Sequence, residues 1–124
     1  MTVTTLAPDR TWIPACPADR LAAERGVAVL LPDGRQAALF RTFDGELFAV
    51  DNIDPFCGAA VLSRGIVGDR AGEPTVASPM LKQVFSLRTG RCLDDPSVSV
   101  DTYTVREREG VIEVAAHSDS RTRT

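Results

Sequence analysis

The chain has 124 residues, of which 44% are hydrophobic and 25% are charged, and its formal net charge is −3. This size and composition are typical of one globular domain that buries a core without disulfides or metals. Its lysine and arginine residues are scattered and its apolar runs are short, so the sequence predicts neither nucleic-acid binding nor a membrane span. The first residues lack the basic start and apolar stretch of a signal peptide, and we therefore expect a cytoplasmic protein.

Short β-rich runs separated by Asp-Gly or Glu-Gly turns dominate the sequence. Asp-Gly is a strong hairpin signal because the tight turn requires positive φ. This pattern predicts an all-β fold with four or five antiparallel strands. The runs are Val27–Leu31, Ala37–Arg41, Leu47–Asp51, Thr102–Arg106 and Val111–Ala115.

Two segments depart from this pattern. Pro17–Arg25 leans towards a helix, and it predicts either about two helical turns or a loop with a single turn. Residues 52–83 are punctuated by proline and glycine, and we expect them to form two loops joined by a short hairpin through Asp69–Glu73. A loop-rich stretch inside a β domain is a common location for function.

The pattern predicts one domain over residues 10–116. Residues 1–9 and 117–124 are polar and lack periodicity, so we expect flexible ends there. The only histidine, His117, lies in the second of these ends, and the sequence has no closely spaced pair of metal ligands. The three cysteines are widely spaced, and we expect reduced, partly buried thiols rather than disulfides. They are Cys16, Cys57 and Cys92.

The two loops carry the most specific motifs of the chain. The first includes Asn52–Ala59 and the second Ala77–Leu81, which is followed by Phe85–Gly90. This frame resembles the Rieske family, whose loops read Cys-Pro-His-x-Gly-Ala and Cys-Pro-x-His, the second followed by a Phe, a strand and Thr-Gly. The resemblance runs from about Trp12 to Ala115. It implies a Rieske-type antiparallel β-sandwich or barrel.

All four ligand positions of that family carry other residues. The Cys and His positions of the first loop are Asp54 and Phe56, and those of the second loop are Ser78 and Leu81. A Rieske centre needs two thiolates on one iron and two imidazoles on the other. Phenylalanine and leucine have no lone pair, and a serine hydroxyl is a poor substitute for a thiolate. The resemblance therefore implies degenerate loops, with no cluster, no metal and no catalytic residue in this chain.

Three stretches are similar to one group of Rieske-like proteins, the small subunits of assimilatory NAD(P)H-dependent nitrite reductases. They are Asp54–Phe56, Val61–Asp69 and Ala77–Phe85. The similarity implies an accessory subunit of a complex that reduces nitrite to ammonia. Its partner would be a large catalytic subunit that carries FAD, sirohaem and an iron–sulfur cluster. The alternatives are a Rieske-type ferredoxin that serves an oxygenase and a module that binds a small molecule in the vacated cluster space.

Phe56 and Leu81 allow two interpretations. Either both side chains turn inward and fill the vacated volume, as dense packing favours, or they leave an apolar patch, with Met80, that docks on the large subunit. The candidate partner contacts are Phe56, Met80, Leu81 and Lys82. Asp54 is expected to be a turn residue whose carboxylate accepts hydrogen bonds from nearby backbone N–H groups.

Overall fold

The structure, a computed structural model, describes residues 11–119. Within that range the chain forms ten strands in three antiparallel sheets, together with two single turns of 3₁₀ helix at Ala18–Arg20 and Leu62–Arg64. The all-β fold class predicted from the hairpin signals is confirmed. The strands are β1 (Trp12–Pro17), β2 (Arg25–Leu30), β3 (Gln36–Arg41), β4 (Leu47–Asp51), β5 (Ile66–Arg70), β6 (Glu73–Ala77), β7 (Val84–Ser86), β8 (Thr102–Tyr103), β9 (Val105–Arg108) and β10 (Val111–Ala115).

The middle sheet has the order β2-β3-β4-β8, and it is covered on both faces. Successive side chains of a strand point to opposite faces, so β3 contributes to two separate cores. Ala38 and Phe40 pack in one hydrophobic cluster with residues of the β5-β6-β7 sheet. Ala37 and Leu39 pack in a second cluster with residues of the β1-β10-β9 sheet. The middle sheet is therefore the central layer of the domain.

The β5-β6-β7 sheet brings the two loops together. The first loop leads into β5 and the second joins β6 to β7. In the register of this sheet, Ile66 at the start of β5 pairs with Ala77 at the end of β6. The end of the first loop and the beginning of the second therefore lie at the same end of the sheet.

The segment Thr102–Arg106, predicted to be one strand, forms parts of two strands. β8 pairs with β4, whereas β9 pairs with β10, so the chain changes sheets at Thr104. The alternation of side chains cannot reveal this change, because both strands have the same period. Pro17–Arg25 contains one 3₁₀ turn, which matches the alternative of a loop with a single turn.

β1 contains two prolines, and no sequence pattern predicted it. Pro14 and Pro17 are tolerated because β1 is an edge strand that pairs only with β10 among the described strands. Its register with β10 shifts between Pro14 and Cys16, as at a β-bulge. Prolines disfavour a central strand of a sheet, but they are compatible with the edge strand β1.

The expected flexible ends fall mostly outside the described residues. Of them, only residues 117–119 are described, and two of these, Ser118 and Asp119, form hydrogen bonds with the domain. The Ser118 Oγ donates to Asp101 Oδ2 at 3.3 Å, and the Thr104 Oγ1 donates to Asp119 Oδ1 at 2.8 Å. Packing thus continues past the expected boundary at residue 116. Over residues 11–119, no helix is long and apolar enough to cross a membrane.

Candidate functional site

The two degenerate loops are joined by a hydrogen bond between buried side chains. The Ser78 Oγ donates to Asp54 Oδ2 at 2.5 Å, and the two residues are 1% and 0% exposed. The other carboxyl oxygen of Asp54, Oδ1, accepts a hydrogen bond from the Phe56 backbone N–H at 2.8 Å. Asp54 is thus a turn residue, as expected, and its carboxyl group also links the two loops. That second role was not predicted from the sequence.

The backbone of the first loop folds tightly around Asp54. Its carbonyl oxygen accepts hydrogen bonds from the N–H groups of Gly58 at 2.7 Å and Cys57 at 3.3 Å, and its N–H donates to the Ala59 carbonyl at 2.9 Å. Gly58 has a φ of +78°, a conformation that residues with a Cβ rarely adopt. The Gly58-Ala59 motif therefore closes the turn that buries Asp54.

Phe56 turns inward and Leu81 turns outward. Phe56 is partly buried against the hydrophobic cluster beneath the loops, with its ring centroid 6.1 Å from that of Phe85. Leu81 is 52% exposed. Phe56 thus agrees with the interpretation of inward packing, and Leu81 agrees with that of an exposed apolar patch.

The second loop is closed on itself and presents apolar side chains to solvent. The Ser78 N–H donates to the Gln83 carbonyl at 2.9 Å, and the Lys82 N–H donates to the Ser78 carbonyl at 3.1 Å. The Met80 N–H donates to Ser78 Oγ at 3.2 Å, which connects this turn to the bond with Asp54. Met80 is 55% exposed. Ser78 therefore organises the loop that exposes Met80 and Leu81.

Asn52 fixes the first loop to the middle sheet and was not singled out from the sequence. It is 1% exposed, its Nδ2 donates to Gln36 Oε1 at 2.9 Å, and its Oδ1 accepts the Ser63 N–H at 2.7 Å. An asparagine directly after a buried strand could have indicated this anchor, because buried polar side chains are normally hydrogen-bonded. Asn52 thus ties the beginning of the loop to the 3₁₀ turn Leu62–Arg64 that follows it.

The cysteines differ in accessibility. Cys57 is exposed in the first loop, Cys16 is partly buried in β1, and Cys92 is buried in the core. All three are free thiols. Burial raises the pKa of the Cys16 thiol, although the Arg41 guanidinium opposes this effect. Cys57 is thus the accessible thiol of the loops.

The residues at the four ligand positions do not fit an iron–sulfur cluster. Phe56 and Leu81 have no donor atom, and the polar groups of Asp54 and Ser78 are bonded to each other. Two thiolates and two imidazoles are needed. Within residues 11–119, no three His, Cys, Asp or Glu side chains are grouped so that they could hold a metal ion.

Comparison with known proteins identifies related sequences and structures. A sequence model of the family described as a Rieske-like [2Fe-2S] domain matches residues 11–115. The nitrite reductase (NADH) small subunit of Escherichia coli K12 is 42% identical over 104 residues, which cover 83% of this chain and 95% of that protein. A crystal structure from Mycobacterium tuberculosis, of a protein assigned as an NADH-dependent nitrite reductase small subunit, is 58% identical. It superposes with a TM-score of 0.84 and covers 87% of this chain and 96% of its own.

Two further similarities are to a nitrite reductase large subunit and to a ferredoxin. The nitrite reductase [NAD(P)H] large subunit of Klebsiella oxytoca is 40% identical over 105 residues, which cover 85% of this chain and 11% of that protein. A similar domain is therefore part of a large-subunit chain in that organism. The ferredoxin of carbazole 1,9a-dioxygenase from Nocardioides aromaticivorans is 24% identical, with a TM-score of 0.74 and coverage of 86% of this chain and 99% of its own. At that identity the similarity concerns the fold alone.

Proposed function

The chain belongs to the small-subunit family of NADH-dependent nitrite reductases and has a Rieske-like domain, and on that premise we propose that it is the accessory subunit of such an enzyme. It binds a large catalytic subunit, and the complex reduces nitrite to ammonia. The observation that carries the accessory role, rather than electron transfer by this chain, is the hydrogen bond from Ser78 to Asp54, which joins the loops at two positions where Rieske proteins have thiolates. The chain contributes the shape of the loops and carries no electron itself.

The cofactors belong to the partner in this proposal. FAD, sirohaem and an iron–sulfur cluster are carried by the large subunit, and the complex is cytoplasmic. The large subunit of Klebsiella oxytoca supports the association, because a domain similar to this chain occurs within that protein. A domain that is covalently attached in one organism and separate in another is expected to bind the same partner surface.

Two other functions have less support. A Rieske-type ferredoxin needs a cluster, which the pair Phe56 and Leu81 cannot ligate. A module that binds a small molecule between the loops needs polar groups free to receive it. Asp54 and Ser78 use theirs on each other, and Phe56 packs inward beneath them.

Co-purification and reconstitution test the proposal. The chain is co-expressed with the large subunit encoded in the same organism, purified through a tag on this chain, and separated by size exclusion. We expect a stable complex that oxidises NADH when nitrite is added. The large subunit alone is the control for activity. Failure of the two chains to associate would contradict the proposal.

The absence of a cluster is tested independently on the purified chain. After incubation with ferrous iron and sulfide under anaerobic conditions, we expect no visible absorbance and no stoichiometric iron. A Rieske ferredoxin treated in the same way is the positive control. A reducible chromophore in this chain would instead favour electron transfer by the domain itself.

A further inference from the structure

We propose that the exposed tip of the two loops docks on an apolar surface of the large subunit that presents a carboxylate to Lys82. This inference rests on the proposed function and specifies its contact surface. The tip is defined by five exposed residues, two from the first loop and three from the second. They are Ile53, Cys57, Met80, Leu81 and Lys82.

The tip concentrates apolar side chains that a monomer would normally bury. Met80, Leu81 and Ile53 are 55%, 52% and 39% exposed, and they are half of the six exposed large hydrophobic side chains within residues 11–119. The bond between Asp54 and Ser78 holds the two loops next to each other, so these side chains belong to one surface. Neighbouring exposed apolar residues indicate a protein-binding site.

The charge of the tip identifies the chemistry of its partner. Lys82 is the only charged residue of the tip, and Asp54 is the only other charged residue within residues 53–60 and 78–83. Asp54 is buried and hydrogen-bonded, so the tip presents a single positive charge. No ion pair involves Lys82 within the described part of the chain. In an apolar contact an unpaired ammonium group would be costly to desolvate, and a carboxylate opposite it offsets that cost.

The backbone at Lys82 is held in one defined conformation. Its φ of +65° lies in the left-handed region, where glycine or asparagine is favoured. The hydrogen bonds of Ser78 with Gln83 and Lys82 hold this conformation before any partner binds. A loop that is already ordered loses little entropy on docking.

Cys57 allows the contact to be measured directly. Its thiol is exposed at the tip, whereas Cys92 is buried and Cys16 is partly buried with a raised pKa. A maleimide probe should therefore react first at Cys57. The rate of this reaction reports the accessibility of the tip in the free chain and in the complex.

The first experiment compares maleimide labelling of the free chain with that of the complex. We expect the large subunit to slow modification of Cys57 at least about tenfold, because docked core positions are desolvated. As a control, Phe43→Cys introduces a thiol at a side chain that is 82% exposed on the β3–β4 turn. That thiol should keep its rate. Equal rates at Cys57 in a complex that has formed would overturn the inference, whereas lack of any complex would contradict the proposed function itself.

The second experiment measures the affinity of variants for the large subunit. Leu81→Asp and Lys82→Glu should each weaken binding at least about tenfold. Lys82→Gly removes the charge at a position whose backbone favours glycine, so it should weaken binding without lowering the melting temperature. Leu30→Asp, at a 68% exposed leucine of β2, is the control and should bind normally. Unchanged affinity of the three tip variants would overturn the inference.

Discussion

Asp54 and Ser78 are buried, and each supplies the other with a hydrogen-bond partner. Ser78→Ala would leave one oxygen of the Asp54 carboxyl group without its donor. We expect the free energy of unfolding to fall by about 2 kcal/mol, because a buried polar group without its partner retains its desolvation cost. Urea denaturation of the purified chain measures this change.

Asp54→Ala and the double variant complete a thermodynamic cycle with Ser78→Ala. The two single changes should sum to more than the double change, with a coupling energy of about 1–2 kcal/mol. Ser97→Ala is the matched control, since its hydroxyl bonds Asp95 Oδ1 at 2.6 Å on an exposed turn. That substitution should alter the free energy of unfolding by less than about 0.5 kcal/mol. A coupling near zero between Asp54 and Ser78 would argue against a link between the loops.

Tyr103 is expected to lower the stability of the fold at alkaline pH. Burial raises the pKa of Tyr103 to about 12, although the nearby Arg35 guanidinium opposes this effect. Between pH 10 and 12 the unfolded chain has lost the phenol proton while the folded chain retains it, so stability falls as pH rises. Tyr103→Phe should remove about 1 kcal/mol of this loss at about pH 11. Urea denaturation at pH 8 and pH 11 tests the difference.

The same substitution has a second expected effect at neutral pH. The Tyr103 hydroxyl is buried and has no hydrogen-bond partner within residues 11–119. Replacing it with hydrogen removes this desolvated group, so Tyr103→Phe should leave the free energy of unfolding unchanged or raise it by up to about 1 kcal/mol. A marked loss at pH 8 would indicate that the hydroxyl contributes an interaction of its own.

At the scale of the elements, the two loops place similar side chains in different environments. Phe56→Ala should lower the free energy of unfolding by about 2 kcal/mol, because the ring packs against Phe85 and the core beneath it. Leu81→Ala should change it by less than about 0.5 kcal/mol, because the side chain is exposed. Thermal and urea unfolding of the two variants measures the contrast. Equal losses would mean that the loops direct both side chains inward.

Several strands could be predicted because their turns have a distinctive chemistry. β4 and β10 have the predicted boundaries, and β3 begins one residue earlier than predicted. Asp44-Gly45 and Glu109-Gly110 mark the turns that flank them, and both glycines have positive φ. β1 has no such signal, because it is stabilised by pairing with β10 at the other end of the chain. β7 pairs with the preceding strand β6, but it has only three residues and the loop between them contains no Asp-Gly turn.

The position of the site could be predicted, but its internal contacts could not. Proline and glycine between residues 52 and 83 located the loops. The bond between Asp54 and Ser78 joins residues that are 24 apart in sequence, so it depends on the pairing of β5 with β6. The direction of Phe56 depends on the tight turn at Gly58, which no periodicity describes.

At the scale of the whole molecule, the layers explain why so small a chain can retain loops without a cluster. β3 and β4 are buried on both faces, so the domain has a core on each side of its middle sheet. Phe56, Phe85 and Leu62 fill the core beneath the loops, and Asn52 anchors the first loop from the side of β3. Packing and hydrogen bonds therefore hold the loops in place of metal–ligand bonds.

The C-terminal boundary of the domain can be tested by truncation. Ending the chain at Ala116 removes the contacts of Ser118 with Asp101 and of Asp119 with Thr104, whereas ending it at Asp119 keeps both. We expect the shorter form to be less stable by about 1–2 kcal/mol, since each hydrogen bond contributes about 1 kcal/mol. Urea denaturation of the two forms, both starting at Met1, measures the difference. Equal stabilities would place the C-terminal boundary of the folded domain at residue 116. A lower stability of the shorter form would extend the domain to Asp119.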